Sequence, residues 1–155
     1  MHAKRIWLLP VILASGWLVL VGAQVQDSVV LRRRQMESNN SLVAEALNKA
    51  VKEKNFIEIE DKCNIIKENM LKVLDFFPRG SVAANSRAKP EIWAKWSEFS
   101  THPGNVMKAA QELAAAAKVG DEASIETKFK ALGEACKGCH ASFRAPKPTG
   151  GEEFR

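Results

Sequence analysis

Apolar residues recur at spacings of three and four in four blocks of the chain, and no stretch after residue 23 alternates with a sustained period of two. Such spacing puts the apolar side chains on one face of an α-helix. The blocks run from Asp27 to Lys54, from Glu58 to Phe76, from Pro90 to Lys118 and from Asp121 to just before Pro146. Four amphipathic helices with short and medium connections predict an all-α fold, an antiparallel four-helix bundle.

Proline and glycine mark the expected helix ends, and one proline conflicts with the pattern. Phe77-Pro78-Arg79-Gly80 ends the second block, and Asp121 is a good N-cap for the fourth. His102-Pro103-Gly104 falls inside the third block, where a proline costs about 3 kcal/mol and a glycine about 1 kcal/mol. We therefore expect a kink or break there, with His102 in an exposed or capping position beside it.

The N-terminal segment has the composition of a secretory signal peptide. Lys4 and Arg5 precede an uncharged, largely apolar run, which ends in the small residues Gly22 and Ala23. This arrangement predicts cleavage before Gln24, so that residues 1–23 are a leader, residues 24–155 form one domain, and the protein is exported to the periplasm. The apolar run is at the lower limit for spanning a bilayer, so an uncleaved membrane anchor is the less favoured alternative.

A Cys-x-x-Cys-His motif lies near the C-terminus, at Cys136, Cys139 and His140. This spacing is that of covalent c-type haem attachment. Two thiols at i and i+3 share one helix face, from which both can bond to vinyl groups on one porphyrin edge while the adjacent histidine ligates the iron. A zinc or dithiol site is the alternative. Zinc normally takes four ligands, however, and only Cys63 and His102 remain to complete the set.

Other features narrow the range of functions. Cys63 falls on the apolar face of the second block and is predicted to be a small buried hydrophobe. The net charge of +5 is mild and the basic residues are spread along the chain, so no nucleic-acid partner is predicted. No paired carboxylates, nucleophile-and-base pair or phosphate loop occurs at a credible spacing, so we do not expect an enzyme.

The haem motif on the last helix of an exported bundle resembles the class II cytochromes c, the cytochrome c′ and cytochrome c-556 group. Further points of likeness are Phe143-Arg144, the stretch from Arg87 to Trp93, and Phe77-Pro78-Arg79-Gly80. The resemblance covers essentially the whole mature chain. It implies one haem c bound covalently through Cys136 and Cys139, with His140 as the proximal iron ligand and Arg144 near the proximal haem face.

The resemblance also assigns roles to the first helix. In this group an arginine at its start approaches a haem propionate, and the side chain four residues later faces the iron. Counting four from Arg33 or Arg34 reaches Glu37 or Ser38 and continues through polar positions. Counting from Arg32 reaches Met36 and continues through the only mostly apolar stripe, formed by Asn39, Val43 and Leu47. Arg32 is therefore the predicted propionate partner and Met36 the predicted residue over the iron.

Met36 leaves two functions open. If its thioether ligates the iron, as in the c-556 type, the protein is a small electron carrier with six-coordinate His140/Met36 iron that exchanges electrons with redox partner proteins; we favour this interpretation. If Met36 only fills space, as most helix methionines do, the haem is five-coordinate as in cytochrome c′ and binds nitric oxide or carbon monoxide. Members of the group often pair through their first two helices, so a homodimer is a further expectation.

Overall fold

The structure, a computed structural model, describes residues 29–82 and 86–146, and within these ranges the side chains of 37–39 are left out. The predicted signal peptide, residues 1–23, lies outside the described residues. The first helix begins with residues 29–33, continues as the π-helical segment Arg34–Asn39 and becomes α1, Asn40–Lys52. It is followed by α2 (Phe56–Lys72), α3 (Glu91–Ala94), α4 (Trp96–Phe99), α5 (His102–Lys118) and α6 (Glu122–Phe143). One 3₁₀ turn, Val73–Phe76, extends α2.

The four long helices pack into a bundle. Helix α2 packs on α5, α5 packs on α6, and α1 packs on α2 and α6. In the described part of the chain the only extended pairing is an isolated bridge between Ala88 and Arg144, so the predicted all-α four-helix bundle is confirmed. None of the helices within 29–82 and 86–146 is long and apolar enough to cross a bilayer.

Two apolar clusters make up the core. The larger one joins α1, α2, α5 and α6 through buried aliphatic residues, among them Leu47, Ile59, Leu113 and Leu132, together with several alanines of α5. Cys63 is fully buried there, and this burial raises the pKa of its thiol to about 12 although the charge of Lys67 opposes the shift. Its predicted role as a small buried hydrophobe is confirmed.

The second cluster lies at the end of the bundle that carries the haem motif. Its buried members are Val73, Phe77, Ile92, Phe99 and Phe143. The Phe99 ring makes edge-on contacts with the rings of Phe77 and Phe143, at centroid distances of 4.9 and 5.3 Å, a favourable aromatic geometry. This cluster fixes the loop after α2 and the short helices α3 and α4 against the end of α6.

The break in the third block lies earlier than predicted. Helix α4 ends at Phe99, and His102 and Pro103 open α5, which then runs unbroken to Lys118. In a first helical turn the missing N–H of proline costs no hydrogen bond, so Pro103 starts this helix instead of kinking it. Contrary to expectation, His102 is neither exposed nor the cap of α5, because Thr101 is the N-cap residue and the His102 side chain is half-buried, with its ring edge-on to Phe143 at a centroid distance of 5.6 Å.

The ends of α6 are fixed by specific contacts. The Asp121 carboxylate accepts a hydrogen bond from the Ser124 backbone N–H at 3.2 Å, which confirms the predicted N-cap. At the other end, the N–H of Lys89 donates to the Phe143 carbonyl at 3.0 Å and the N–H of Ala145 donates to the Arg87 carbonyl at 2.8 Å. The segment before α3 is thereby fastened beside the Cys-x-x-Cys-His motif.

Candidate functional site

One cavity brings together all six residues that the sequence singled out. It is lined by Arg32 and Met36 from the first helix and by Cys136, Cys139, His140 and Arg144 at the end of α6. Most of the remaining wall is apolar and comes from α2, the loop after it, α3, α4 and α5: Ile66, Met70, Val73, Phe77, Ile92, Phe99 and Val106. A largely apolar cavity with a few converging polar groups is typical of a cofactor site.

The two cysteines of the motif lie one turn apart on the cavity side of α6. Both are half-buried and neither forms a disulfide. Burial raises the pKa of the Cys136 thiol. Burial raises the pKa of the Cys139 thiol to about 11, and the negative charge that Cys136 carries when it is ionised acts in the same direction. Two neutral thiols therefore face an apolar space at neutral pH, at the spacing that covalent attachment to one porphyrin edge requires.

His140 stands at the exposed edge of the same cavity. Partial burial of the ring and the positive charges of Arg144 and Arg87 lower the pKa of this histidine. The imidazole is therefore neutral at neutral pH, which is the form that ligates a metal. The backbone N–H of Arg144 donates to the His140 carbonyl at 3.1 Å. This hydrogen bond completes the last turn of α6, directly after the histidine.

Arg32 is a buried cation on the cavity wall, with only 5% of the residue exposed. Its Nε donates to the Phe76 carbonyl at 3.0 Å, and its two Nη atoms donate to the hydroxyls of Ser86 at 3.0 Å and Ser81 at 2.8 Å. The guanidinium carbon lies 4.4 Å from the ring centroid of Phe77. Desolvation lowers the pKa of Arg32 to about 10, so the side chain stays charged at neutral pH.

Among the described residues, the groups that bind Arg32 are neutral oxygens and none is acidic. No ion pair found in this part of the chain involves this arginine, and a buried cation is costly without an opposite charge. Arg33 is half-buried and Arg34 is exposed. Arg32 is therefore the most buried of the three neighbouring arginines, as the helical register predicts. The side chains of Glu37 and Ser38, which the alternative registers would place over the iron, lie outside the described residues.

Met36 lies half-buried within the π-helical segment and lines the cavity. Its sulfur accepts a hydrogen bond from Nδ2 of Asn40 at 3.5 Å, and Asn69 donates in turn to Oδ1 of Asn40 at 3.0 Å. The sequence pattern selected Met36 but not the two asparagines. It also missed Ser81 and Ser86, which bind Arg32, and His102, which lines the cavity. Helical periodicity carries no signal for the contacts of Asn69, Ser81 and Ser86, because their partners lie 29 to 54 residues away in the sequence.

The zinc alternative has no ligand set in this part of the molecule. Over 29–82 and 86–146 no group of three or more histidine, cysteine, aspartate or glutamate side chains could hold a metal ion. Cys63 belongs to the larger apolar cluster, whereas His102 lines the cavity. His102 shares the cavity with the cysteine pair but Cys63 does not, so the described residues do not form a four-ligand zinc set.

A four-helix bundle whose last helix presents two cysteines and a histidine to an apolar cavity belongs to the class of c-type haem proteins. The sequence profile of the family described as cytochrome C′ matches residues 27–144. Cytochrome c′ of Rhodospirillum rubrum is 43% identical over 70 residues, which is 44% of this chain and 48% of that protein. Cytochrome c-556 of Rhodopseudomonas palustris is 26% identical over 147 residues, 88% of this chain and 97% of that protein. The chain belongs to the cytochrome c′ family.

Solved structures share the fold. Ferric cytochrome c prime from Alcaligenes xylosoxidans superimposes with a TM-score of 0.67 at 24% identity, covering 79% of this chain and 97% of that one. Cytochrome c′ from Thermochromatium tepidum reaches a TM-score of 0.69 at 21% identity with the same coverage. The curated match in Rhodospirillum rubrum spans about half the length of that relative. The predicted family, the bundle fold and the haem c cofactor are confirmed.

The cavity suits a haem on several independent grounds. Its two thiols lie at attachment spacing, a neutral imidazole stands at its edge, and its walls are apolar. The buried Arg32 faces it without an acidic partner among the described residues, and haem carries two anionic propionates. The donor set therefore fits the cofactor that the family implies.

Replacing Arg32 by leucine should lower the free energy of unfolding of the haem-containing protein by about 3 kcal/mol, because the carbonyls of Phe76 and Ser81 lose charged donors. Urea denaturation measures this loss. Arg34→Leu is the matched control, since Arg34 is exposed, and its effect should stay within about 0.5 kcal/mol. Equal losses in the two variants would contradict the role assigned to Arg32.

Proposed function

We propose that this protein is an exported, non-enzymatic haem c protein of the cytochrome c′ type, with an open coordination position that takes a diatomic gas such as nitric oxide. Cys136 and Cys139 hold the haem through thioether bonds, and His140 ligates the iron from the α6 side. Residues 1–23 are the leader that directs the domain, residues 24–155, to the periplasm. When bound, the haem supplies a redox-active iron that has room for one more ligand.

The observation that carries this proposal is the state of Met36. Its sulfur accepts the hydrogen bond from Asn40, and its side chain packs against the apolar cluster around Phe77. The wall that the first helix and α2 contribute also includes the aliphatic residues Ala44, Ile66 and Val73 and the thioether of Met70. Aliphatic side chains cannot ligate iron, whereas a small neutral gas is compatible with such a surface.

The comparisons support the same choice. Several curated relatives are cytochromes c′, and one structurally similar protein is the nitric oxide complex of a mutant of cytochrome c prime from Alcaligenes xylosoxidans. Its likeness to this chain concerns the fold, since the identity is 24%. A shared fold with a known gas complex favours the open-site interpretation without assigning ligands.

Two arginines complete the proposed site. Arg32 pairs with a haem propionate, and this pairing gives its buried charge the acidic partner that is missing among the described residues. Arg144 lies half-buried one turn after His140, where its charge is near the proximal face. Arg32 thus stabilises the bound haem at the bundle interior, and Arg144 acts near the proximal histidine.

A second function is favoured by one specific observation. Met36 lines the same cavity as His140, and the match with cytochrome c-556 extends over 97% of that relative. With the Met36 sulfur on the iron, the protein would be a six-coordinate electron carrier that serves redox partner proteins. A fixed pair of ligands changes little between oxidation states, which favours fast electron exchange. Pairing into a homodimer is compatible with both functions.

The covalent attachment is tested by replacing each cysteine in turn. Haem should stay with the wild-type polypeptide after acid–organic extraction, and Cys136→Ala or Cys139→Ala should each remove one thioether bond and reduce retention. Cys63→Ala is the matched control and should retain haem fully, because Cys63 is buried in the larger apolar cluster and does not line the cavity. Release of free haem from the wild type would overturn the attachment.

The coordination state is tested by the visible absorption spectrum of the purified protein. We expect a high-spin ferric spectrum and ready carbon monoxide binding by the ferrous form. Met36→Leu should leave both unchanged, because the sulfur is not a ligand. A low-spin ferric spectrum would contradict the proposal if its far-red sulfur-to-iron band vanished in Met36→Leu. Met70→Leu is the matched control, since Met70 lines the same cavity, and it should leave the spectrum unchanged. A far-red band that is lost only in Met36→Leu would establish the electron carrier.

A further inference from the structure

We propose that Asn40, oriented by Asn69, holds the Met36 sulfur in a hydrogen bond and thereby keeps it from ligating the iron. The inference rests on the proposed function, in which the sixth coordination position is open. The two asparagines are positioning residues in this account, because they act through Met36 and not on the iron. Their loss should shift the equilibrium of the haem site toward the state in which the Met36 sulfur binds the iron.

Three side chains form a chain of hydrogen bonds from α2 to the cavity. Asn69 of α2 donates through Nδ2 to Oδ1 of Asn40 at 3.0 Å, and Asn40 donates through its own Nδ2 to the Met36 sulfur at 3.5 Å. A carboxamide has one oxygen and one NH₂ group. Since Asn69 occupies the oxygen side of Asn40, the NH₂ side is turned toward the sulfur. Asn69 therefore determines the orientation in which Asn40 meets Met36.

The backbone around Met36 departs from regular helix. Arg34–Asn39 is π-helical, and the backbone N–H of Asn40 donates to the Gln35 carbonyl. A π-turn is rare and is frequently found at functional sites. Here it lies on the cavity wall and ends at the asparagine that binds the sulfur. The position of Met36 thus depends on a local feature that the rest of the helix does not share.

The asparagines are poorly explained as packing residues. Both are half-buried, and burying a carboxamide is unfavourable unless it is hydrogen-bonded. Asn40 lines a cavity whose neighbouring wall includes Ala44, Ile66 and Met70, where a leucine would bury more apolar surface. A thioether is a weak acceptor, so the contact adds little to stability. For this contact to decide between the two positions of the sulfur, on Asn40 and on the iron, these positions must differ little in free energy.

The test compares three haem-containing variants with the wild type. Asn40→Leu removes the donor, and Asn40→Asp removes the donor but keeps an oxygen for Asn69. Asn48→Leu is the matched control, because Asn48 lies two turns further along α1 and is exposed. The readout is the equilibrium ratio of low-spin to high-spin ferric haem in the visible spectrum. Losing one weak hydrogen bond should raise this ratio about two- to fivefold in both Asn40 variants.

Further measurements identify the ligand. The rate of carbon monoxide binding to the ferrous Asn40 variants should fall in proportion to the fraction of molecules in which the sulfur is bound to the iron, because the sulfur must leave before the gas can bind. The double variant Asn40→Leu with Met36→Leu should return to the high-spin spectrum of the wild type. Asn69→Leu should give a smaller shift in the same direction, since Asn40 keeps its donor but loses its orientation. Haem content per chain, measured in parallel, confirms that each variant carries its cofactor.

The outcomes separate this inference from the proposed function. A high-spin wild type with unchanged spectra in Asn40→Leu and Asn40→Asp would overturn the inference and leave the open-site function intact. A low-spin shift that persists after Met36→Leu is added would also overturn it, because another group would then be the ligand. A low-spin wild type would contradict the proposed function itself. If Asn40→Leu does not retain haem, Asn40→Asp and Asn69→Leu decide the question.

Discussion

The buried guanidinium of Arg32 holds together the wall on which the haem site depends. It lies at the start of the first helix and reaches the last turn after α2 through the Phe76 carbonyl, and the following loop through Ser81 and Ser86. These contacts join segments that are 44 to 54 residues apart in the chain. Charged hydrogen bonds of this kind are among the stronger ones in proteins, and they require a cation to stay buried beside the cavity. The need for an anionic partner follows from that arrangement.

The site divides into two halves of different chemistry. The α6 half carries two thiols and an imidazole within five consecutive residues, so that covalent attachment and one metal ligand come from a single helix end. The half formed by the first helix and α2 carries aliphatic side chains and the thioethers of Met36 and Met70. Thioethers are soft ligands that favour ferrous iron. In the proposed function, the position of the Met36 sulfur in this second half decides between gas binding and electron transfer.

The features predicted correctly from the sequence are local in the chain. The four helices follow from apolar spacing, the N-cap at Asp121 from its residue type, and the haem c cofactor from the Cys-x-x-Cys-His spacing. The apolar stripe selected Arg32 among three neighbouring arginines, and this residue is indeed the buried one. Each of these predictions uses residues within a few turns of one another, where geometry is set by the helix itself.

The features that were missed depend on distant partners or on an irregular backbone. Pro103 was expected to disturb a helix, but its effect depends on where that helix begins, and here it lies in the first turn. The contacts between Asn69 and Asn40 and between Arg32 and Ser81 span 29 and 49 residues. The π-turn around Met36 is invisible to a pattern with the α-helical period. These are also the features that control the distal side of the site.

The most direct test of the central claim is the electron paramagnetic resonance spectrum of the frozen ferric protein, which reports the spin state of the iron without any mutation. If Asn40 holds the Met36 sulfur and His140 is the one protein ligand of the iron, the frozen ferric protein should give an axial high-spin signal. A rhombic low-spin signal typical of histidine–methionine ligation would contradict it and would assign this member of the cytochrome c′ family to electron transfer.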